Sequence, residues 1–167
     1  MHGMLRLLSS GRRHRTDRAR GFTLIELLTV MALLAILMAV VAPSFREFLQ
    51  SQYVKSVAYD LTADLLLARN EALKRNGNVS IEPSGDSWAD GWTITELVND
   101  TQVGQRNAAD ASVTVDDGPA GITFDANGRV FAPAAQVRMT LSAAGTNHRC
   151  IQLDLSGRAR SVVGACP

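Results

Sequence analysis

Little in this chain invites catalysis. Three histidines and two cysteines are scattered through 167 residues, aromatics make up 5%, and no glycine-rich phosphate loop is present. No set of nucleophile, base and orienting group can be assembled, so an enzyme is not expected. Two cysteines are too few for a cysteine-rich mini-protein, and a single long apolar run is too little for a polytopic membrane protein. Thirteen glycines and five prolines exclude a collagen, and 46% hydrophobic residues exclude a disordered tail. The length suits one modest domain with a terminal appendage. A formal net charge of +1 gives no hint of a nucleic-acid partner.

That average conceals a segregated chain. Residues 1–21 hold Arg6, Arg12, Arg13, Arg15, Arg18 and Arg20 against Asp17, a net of +5. Residues 76–128 hold nine acids and one base, Arg106, a net of −8. Residues 129–167 hold Arg129, Arg138, Arg149, Arg158 and Arg160 against Asp154, a net of +4. The acidic stretch lacks the ligand spacing of a calcium loop and reads as a solvated surface.

The apolar residues are equally uneven. Glu26 is the only ionisable side chain between Arg20 and Arg46, and residues 27–45 carry no charge. As a helix this run spans about 30 Å, the thickness of a bilayer core. The flanking arginines predict a cytoplasmic N-terminus and an exported C-terminal domain. An ordinary secretory signal shares the basic start, but this run is long, Glu26 interrupts it, and no A-x-A site follows. A carboxylate in such a run is costly and implies a partner. Cleavage between Gly21 and Phe22 would place a new α-amino group about one helical turn from Glu26. The plainer alternative is an interfacial glutamate reaching for lipid headgroups.

Beyond Pro43, Phe45, Phe48, Leu49, Val54, Val57, Leu61, Leu65, Ala68, Ala72 and Leu73 recur at steps of mostly three and four, predicting one amphipathic helix that stops at Asn76-Gly77. On it, Arg69 and Glu71 read as solvated charges. Alternation then predicts strands at Val79-Ser80-Ile81, Trp92-Thr93-Ile94, Val113-Thr114-Val115, Ile122-Thr123-Phe124, Val130-Phe131, Val137–Leu141 and Ile151–Leu155. Asn127-Gly128 is a hairpin signal. Residues 86–92 and 98–111 read as loops, and Trp88 and Trp92 as core or loop anchors. The layout is α+β: one long helix, then an antiparallel meander.

Arg20-Gly21-Phe22-Thr23-Leu24-Ile25-Glu26-Leu27 resembles the processing signal of type IV pilins and type II secretion pseudopilins. The resemblance implies a pilin-like fold and a prepilin peptidase that cuts after Gly21 and methylates Phe22. It also implies that Glu26 pairs with a neighbouring subunit's N-terminus, and that Pro43 is the family's helix proline. The expected parts are a leader at 1–21, a transmembrane and filament-core helix at 22–43, its amphipathic continuation at 44–76, and a periplasmic β-rich head at 77–167. The expected course is single-pass residence in the inner membrane, then entry into a pilus with other pilins. The stretch from Ala68 to Asn76, Trp88-Ala89-Asp90-Gly91-Trp92, and Ile122-Thr123-Phe124 before Asn127-Gly128 resemble the GspH/FimT-like branch.

With His2 and His14 in the leader and His148 alone in the mature chain, Cys150 and Cys166 lack partners for a metal site, and no cofactor is expected. An exported pair is most simply one disulfide, closing about 15 residues and contributing about 3 kcal/mol in the chain-entropy model. Within that loop, Arg158 and Arg160 stand two apart, so an extended segment turns both guanidinium groups to one side. Ser161 could add a hydroxyl donor, and Arg149, Arg138 or His148 could extend the patch. Arginine's planar fork suits phosphate. Gly157-Arg158-Ala159-Arg160 resembles the GRxR motif of FimT-like minor pilins, which implies DNA binding in natural transformation. Without a recognition helix or stacking platform, such contacts would be sequence-independent. The alternative is a minor pilin or pseudopilin that primes or caps a filament without touching DNA.

Overall fold

The computed structural model describes residues 21–143 and 147–167; the arginines at 6–20, expected to form part of a leader, lie outside the described residues. Contacts divide the chain into two units, one ending at Val40 and one comprising Val41–Pro167. In the first, every described residue is exposed. Helix α1 (Leu24–Arg75) begins there. Thr23 accepts the Glu26 N–H at 3.2 Å, half of a capping box, and sets Glu26 in the first turn, where the helix dipole favours an anion. The span's length and hydropathy are those of a membrane-crossing helix.

In the second unit α1 carries Pro43 and then a buried stripe, Val54, Ala58, Leu61, Leu65, Ala68 and Ala72. Their spacing of three and four keeps one face inward. Three alanines in that stripe keep the covered surface flat and let strands approach closely.

Nine strands follow: β1 (Val79–Pro83), β2 (Gly91–Glu96), β3 (Thr101–Asn107), β4 (Val113–Asp116), β5 (Ile122–Phe124), β6 (Val130–Ala132), β7 (Val137–Ala143), β8 (Asn147–Leu153) and β9 (Ala159–Val163). They form two antiparallel sheets rather than the single meander expected. The first runs β3-β2-β1-β5-β6 and the second β4-β7-β8-β9. One hydrophobic cluster joins the α1 stripe to Ile81, Trp92, Ile94, Ile122 and Phe124 of the first sheet and Met139, Leu141, Ile151 and Leu153 of the second.

Where a loop was expected over 98–111, β3 runs along the edge of the first sheet. Its residues are mostly exposed, so no apolar alternation marks it in the sequence. Within 86–92, Trp88–Asp90 forms a 3₁₀ turn whose Ser87 and Asp90 cap each other. Both tryptophans are buried: Trp88 Nε1 donates to the Pro119 carbonyl at 2.7 Å and Trp92 Nε1 to Asp64 at 2.9 Å. Glu96, assigned above to a solvated acidic surface, is instead 2% exposed. It accepts the Val98 and Asn99 N–H groups, the first of which chiefly holds its carboxyl below the usual range.

Asp64 ties α1 to the first sheet, since the oxygen that accepts Trp92 also accepts Arg106 Nη2 at 3.0 Å. Replacing it by alanine strands a buried indole N–H. Asp64→Ala should lower stability by about 1–3 kcal/mol, read by urea denaturation followed in tryptophan fluorescence, with Asp64→Asn losing less.

Candidate nucleic-acid interface

Two five-residue turns of one design lie at the end of the second unit. Asp125-Ala126-Asn127-Gly128-Arg129 joins β5 to β6, and Asp154-Leu155-Ser156-Gly157-Arg158 joins β8 to β9. In the first, Asp125 Oδ1 accepts the Asn127 and Arg129 N–H groups, both at 2.9 Å. In the second, Asp154 Oδ1 accepts the Ser156 and Arg158 N–H groups at 2.9 and 3.1 Å. The glycines take φ +70 and +79, which a side chain rarely adopts. An aspartate that closes a turn on its own backbone, followed by a left-handed glycine, is sufficient to specify both. The repeated D-x-[N/S]-G-R is readable in the sequence, with Asn127-Gly128 at the turn of one copy and Ser156-Gly157 at the turn of the other.

The turns pack on each other. Val130 N–H donates to the Leu155 carbonyl at 3.1 Å, linking the two sheets. Arg69 of α1 donates from Nε to the Gly128 carbonyl at 2.9 Å. It is therefore a brace rather than the solvated charge expected of it. A Cβ on Gly157 would collide with the Gly128 carbonyl oxygen and with Arg69. Glu71 likewise sits under Lys74 and Arg75, 3.3 and 2.7 Å away.

Arg158 and Arg160 are both exposed and line one cavity of about 190 Å³ with Gln136, Gln152, Asp154 and Ala159. Arg160 Nε donates to Gln152 Oε1 at 3.0 Å, across the β8–β9 pair. Cys150 and Cys166 form a disulfide with Cα atoms 4.9 Å apart. Cys150 and Gln152 alternate with the core residues Ile151 and Leu153, so bridge and arginines share the outer face of this sheet.

Arg149 and Ser161 do not join them. Both belong to the inward register of Ile151, with Arg149 Nη1 3.4 Å from Ser161 Oγ and its guanidinium 5.3 Å from the Tyr59 ring centroid. Arg138 is also committed, donating to Pro167 at 2.8 Å. Gly21 and Phe22 are exposed ahead of α1. Among the described residues no group of three or more metal-ligating side chains occurs.

The Asp154 carboxyl is held below the usual aspartate range, first by the Ser156 hydroxyl and next by the Arg158 N–H. On acidification the unfolded chain takes up the proton first. The stabilisation is thus complete above about pH 4 and is lost as pH falls through the lower folded value. Asp154→Asn should melt lower than wild type at neutral pH, with the gap narrowing toward pH of about 3 in thermal scans. Gly157→Ala should cost more than about 1 kcal/mol, read the same way.

A family model described as Type II transport protein GspH matches residues 57–157, and the prokaryotic N-terminal methylation motif matches residues 16–42. No curated protein matches the sequence. Among solved structures, the fold is similar to the type IV minor pilin FimU of Pseudomonas aeruginosa, at TM-score 0.59 and 24% identity over 68% of this chain and 90% of that one. It is also similar to the minor pseudopilin EpsH of the Vibrio cholerae type 2 secretion system, at TM-score 0.50 and 16% identity over 66% and 96%. With more than half its length inside the first model and the methylation motif ahead of it, the chain belongs to the family of the Type II transport protein GspH.

Proposed function

We propose that this chain is a minor type IV pilin that captures extracellular DNA for uptake in natural transformation. A prepilin peptidase cuts between Gly21 and Phe22 and methylates Phe22. The fold has no use for glycine at 21, where a Cβ would meet nothing within 4 Å, which fits a requirement set by the peptidase. Residues 22–43 hold the protein in the inner membrane, N-terminus inside and head in the periplasm, until it enters the pilus beside other pilins. There Glu26, at the start of α1, neutralises a neighbouring subunit's N-terminal amine. Pro43 removes one helix hydrogen bond and loosens α1 as the helix leaves the bilayer.

The observation that carries DNA binding is the placement of Arg158 and Arg160. Both are exposed at one cavity, on a hairpin bonded by its own disulfide. Two guanidinium groups on a rigid support offer bidentate, sequence-independent contacts to phosphate. A second reading is supported by the family's name and by the likeness to both a minor pilin and a minor pseudopilin. In it the protein primes or caps a filament, and the arginines are ordinary surface charges.

A salt titration separates the two. With the full chain in detergent micelles and a labelled duplex, Arg158→Ala with Arg160→Ala should weaken binding and flatten the slope of log K against log salt by about 2. Melting temperature should be unchanged. Equal slopes for wild type and the double variant would leave the structural reading standing.

A further inference from the structure

We infer that Arg129 is a third phosphate contact, so that DNA is gripped by the pair of matched turns rather than by the C-terminal hairpin alone. This deepens the DNA-binding reading and rests on it.

Arg129 stands in its turn where Arg158 stands in the other. Each follows a glycine of positive φ, each has its N–H fixed by the aspartate four residues back, and each side chain is exposed. The turns touch at Gly128 and Gly157, one bond from either arginine. The Cα atoms of Arg129 and Arg158 therefore lie no more than about 10 Å apart by standard backbone dimensions. Each strand of duplex DNA carries one charge per about 3.4 Å of axis. Two arginine side chains rooted at that separation reach phosphates a few nucleotides apart.

Several other arginines are already engaged. Arg69 bonds Gly128, Arg106 bonds Asp64, Arg138 bonds Pro167, and Arg149 lies between Ser161 and Tyr59. Arg160 is partly engaged by Gln152. Among the described residues, the guanidinium groups of Arg129 and Arg158 have no hydrogen bond or ion pair. Of the five arginines in residues 129–167, the two whose side chains make no hydrogen bond are thus the two at equivalent turn positions. Asp125 and Asp154 stand close by, but both are occupied by backbone N–H groups of their own turns. The Arg69 brace and the Val130 to Leu155 bond hold the pair together without any help from DNA.

The test compares the full chain in detergent micelles, wild type against Arg129→Ala and Arg129→Gln, over a salt series with duplexes of equal length and different sequence. Each variant should flatten the salt slope by about 0.9, equally for every sequence, with melting temperature unchanged. Arg129→Lys should restore the slope, because a point charge suffices for counterion release. If wild type binds and the Arg158 and Arg160 double variant flattens the slope while folded Arg129→Ala and Arg129→Gln do not, Arg129 is no contact and the inference falls alone. If wild type itself shows no salt-dependent binding, the DNA-binding reading falls and takes this one with it.

Discussion

The hydrogen bond from Arg69 Nε to the Gly128 carbonyl is the point on which the basic end of the molecule depends. It joins the long helix to a turn of one sheet, and Gly157 of the other sheet lies against both partners. A charge-assisted bond to a partly buried carbonyl is stronger than a neutral one, and losing the donor leaves that carbonyl unsatisfied. The alanines of the α1 stripe let the sheets come near enough for the bond to form, and the missing Cβ at 157 gives it room. Helix, sheets and arginine turns are therefore held at fixed spacing by one donor, one carbonyl and one absent methyl group.

The charge segregation also looks different once the acids are located. The middle of the chain is acidic in composition, yet several of its carboxylates act within turns. Glu96 accepts Val98 and Asn99, Asp90 accepts Ser87, Asp110 accepts Ser112, and Asp125 accepts Asn127 and Arg129. A carboxylate saturated by backbone donors closes a loop and repels a polyanion less than an open one at the same distance. Four of the nine acids in this stretch thus serve as the turn chemistry of a short-stranded β-domain.

Local patterns carried most of the fold. The uncharged run after Glu26 and the three-and-four spacing beyond Pro43 fixed α1 almost to its ends, and alternation found seven strands. The edge strand β3 escaped because one of its faces is wet and it holds a single apolar residue with a large side chain, Val103. The division into two sheets escaped because pairing partners are set by tertiary contacts, not by alternation. At the candidate site, Arg158 and Arg160 fall together as their spacing implied. Arg149 and Ser161 turn the other way, since both share the strand parity of the buried Ile151. Arg69 escaped because a lone arginine on a helix carries no sign of a carbonyl 59 residues away.

The repeated turn also bears on when the basic end takes shape. Each copy is closed by bonds that reach no farther than four residues, and such closures form within microseconds. The Arg69 bond and the disulfide each wait for distant partners. Closing either turn thus needs no contact between the two sheets. The Cys150–Cys166 bridge spans a bend whose local geometry Asp154 and Gly157 specify without it.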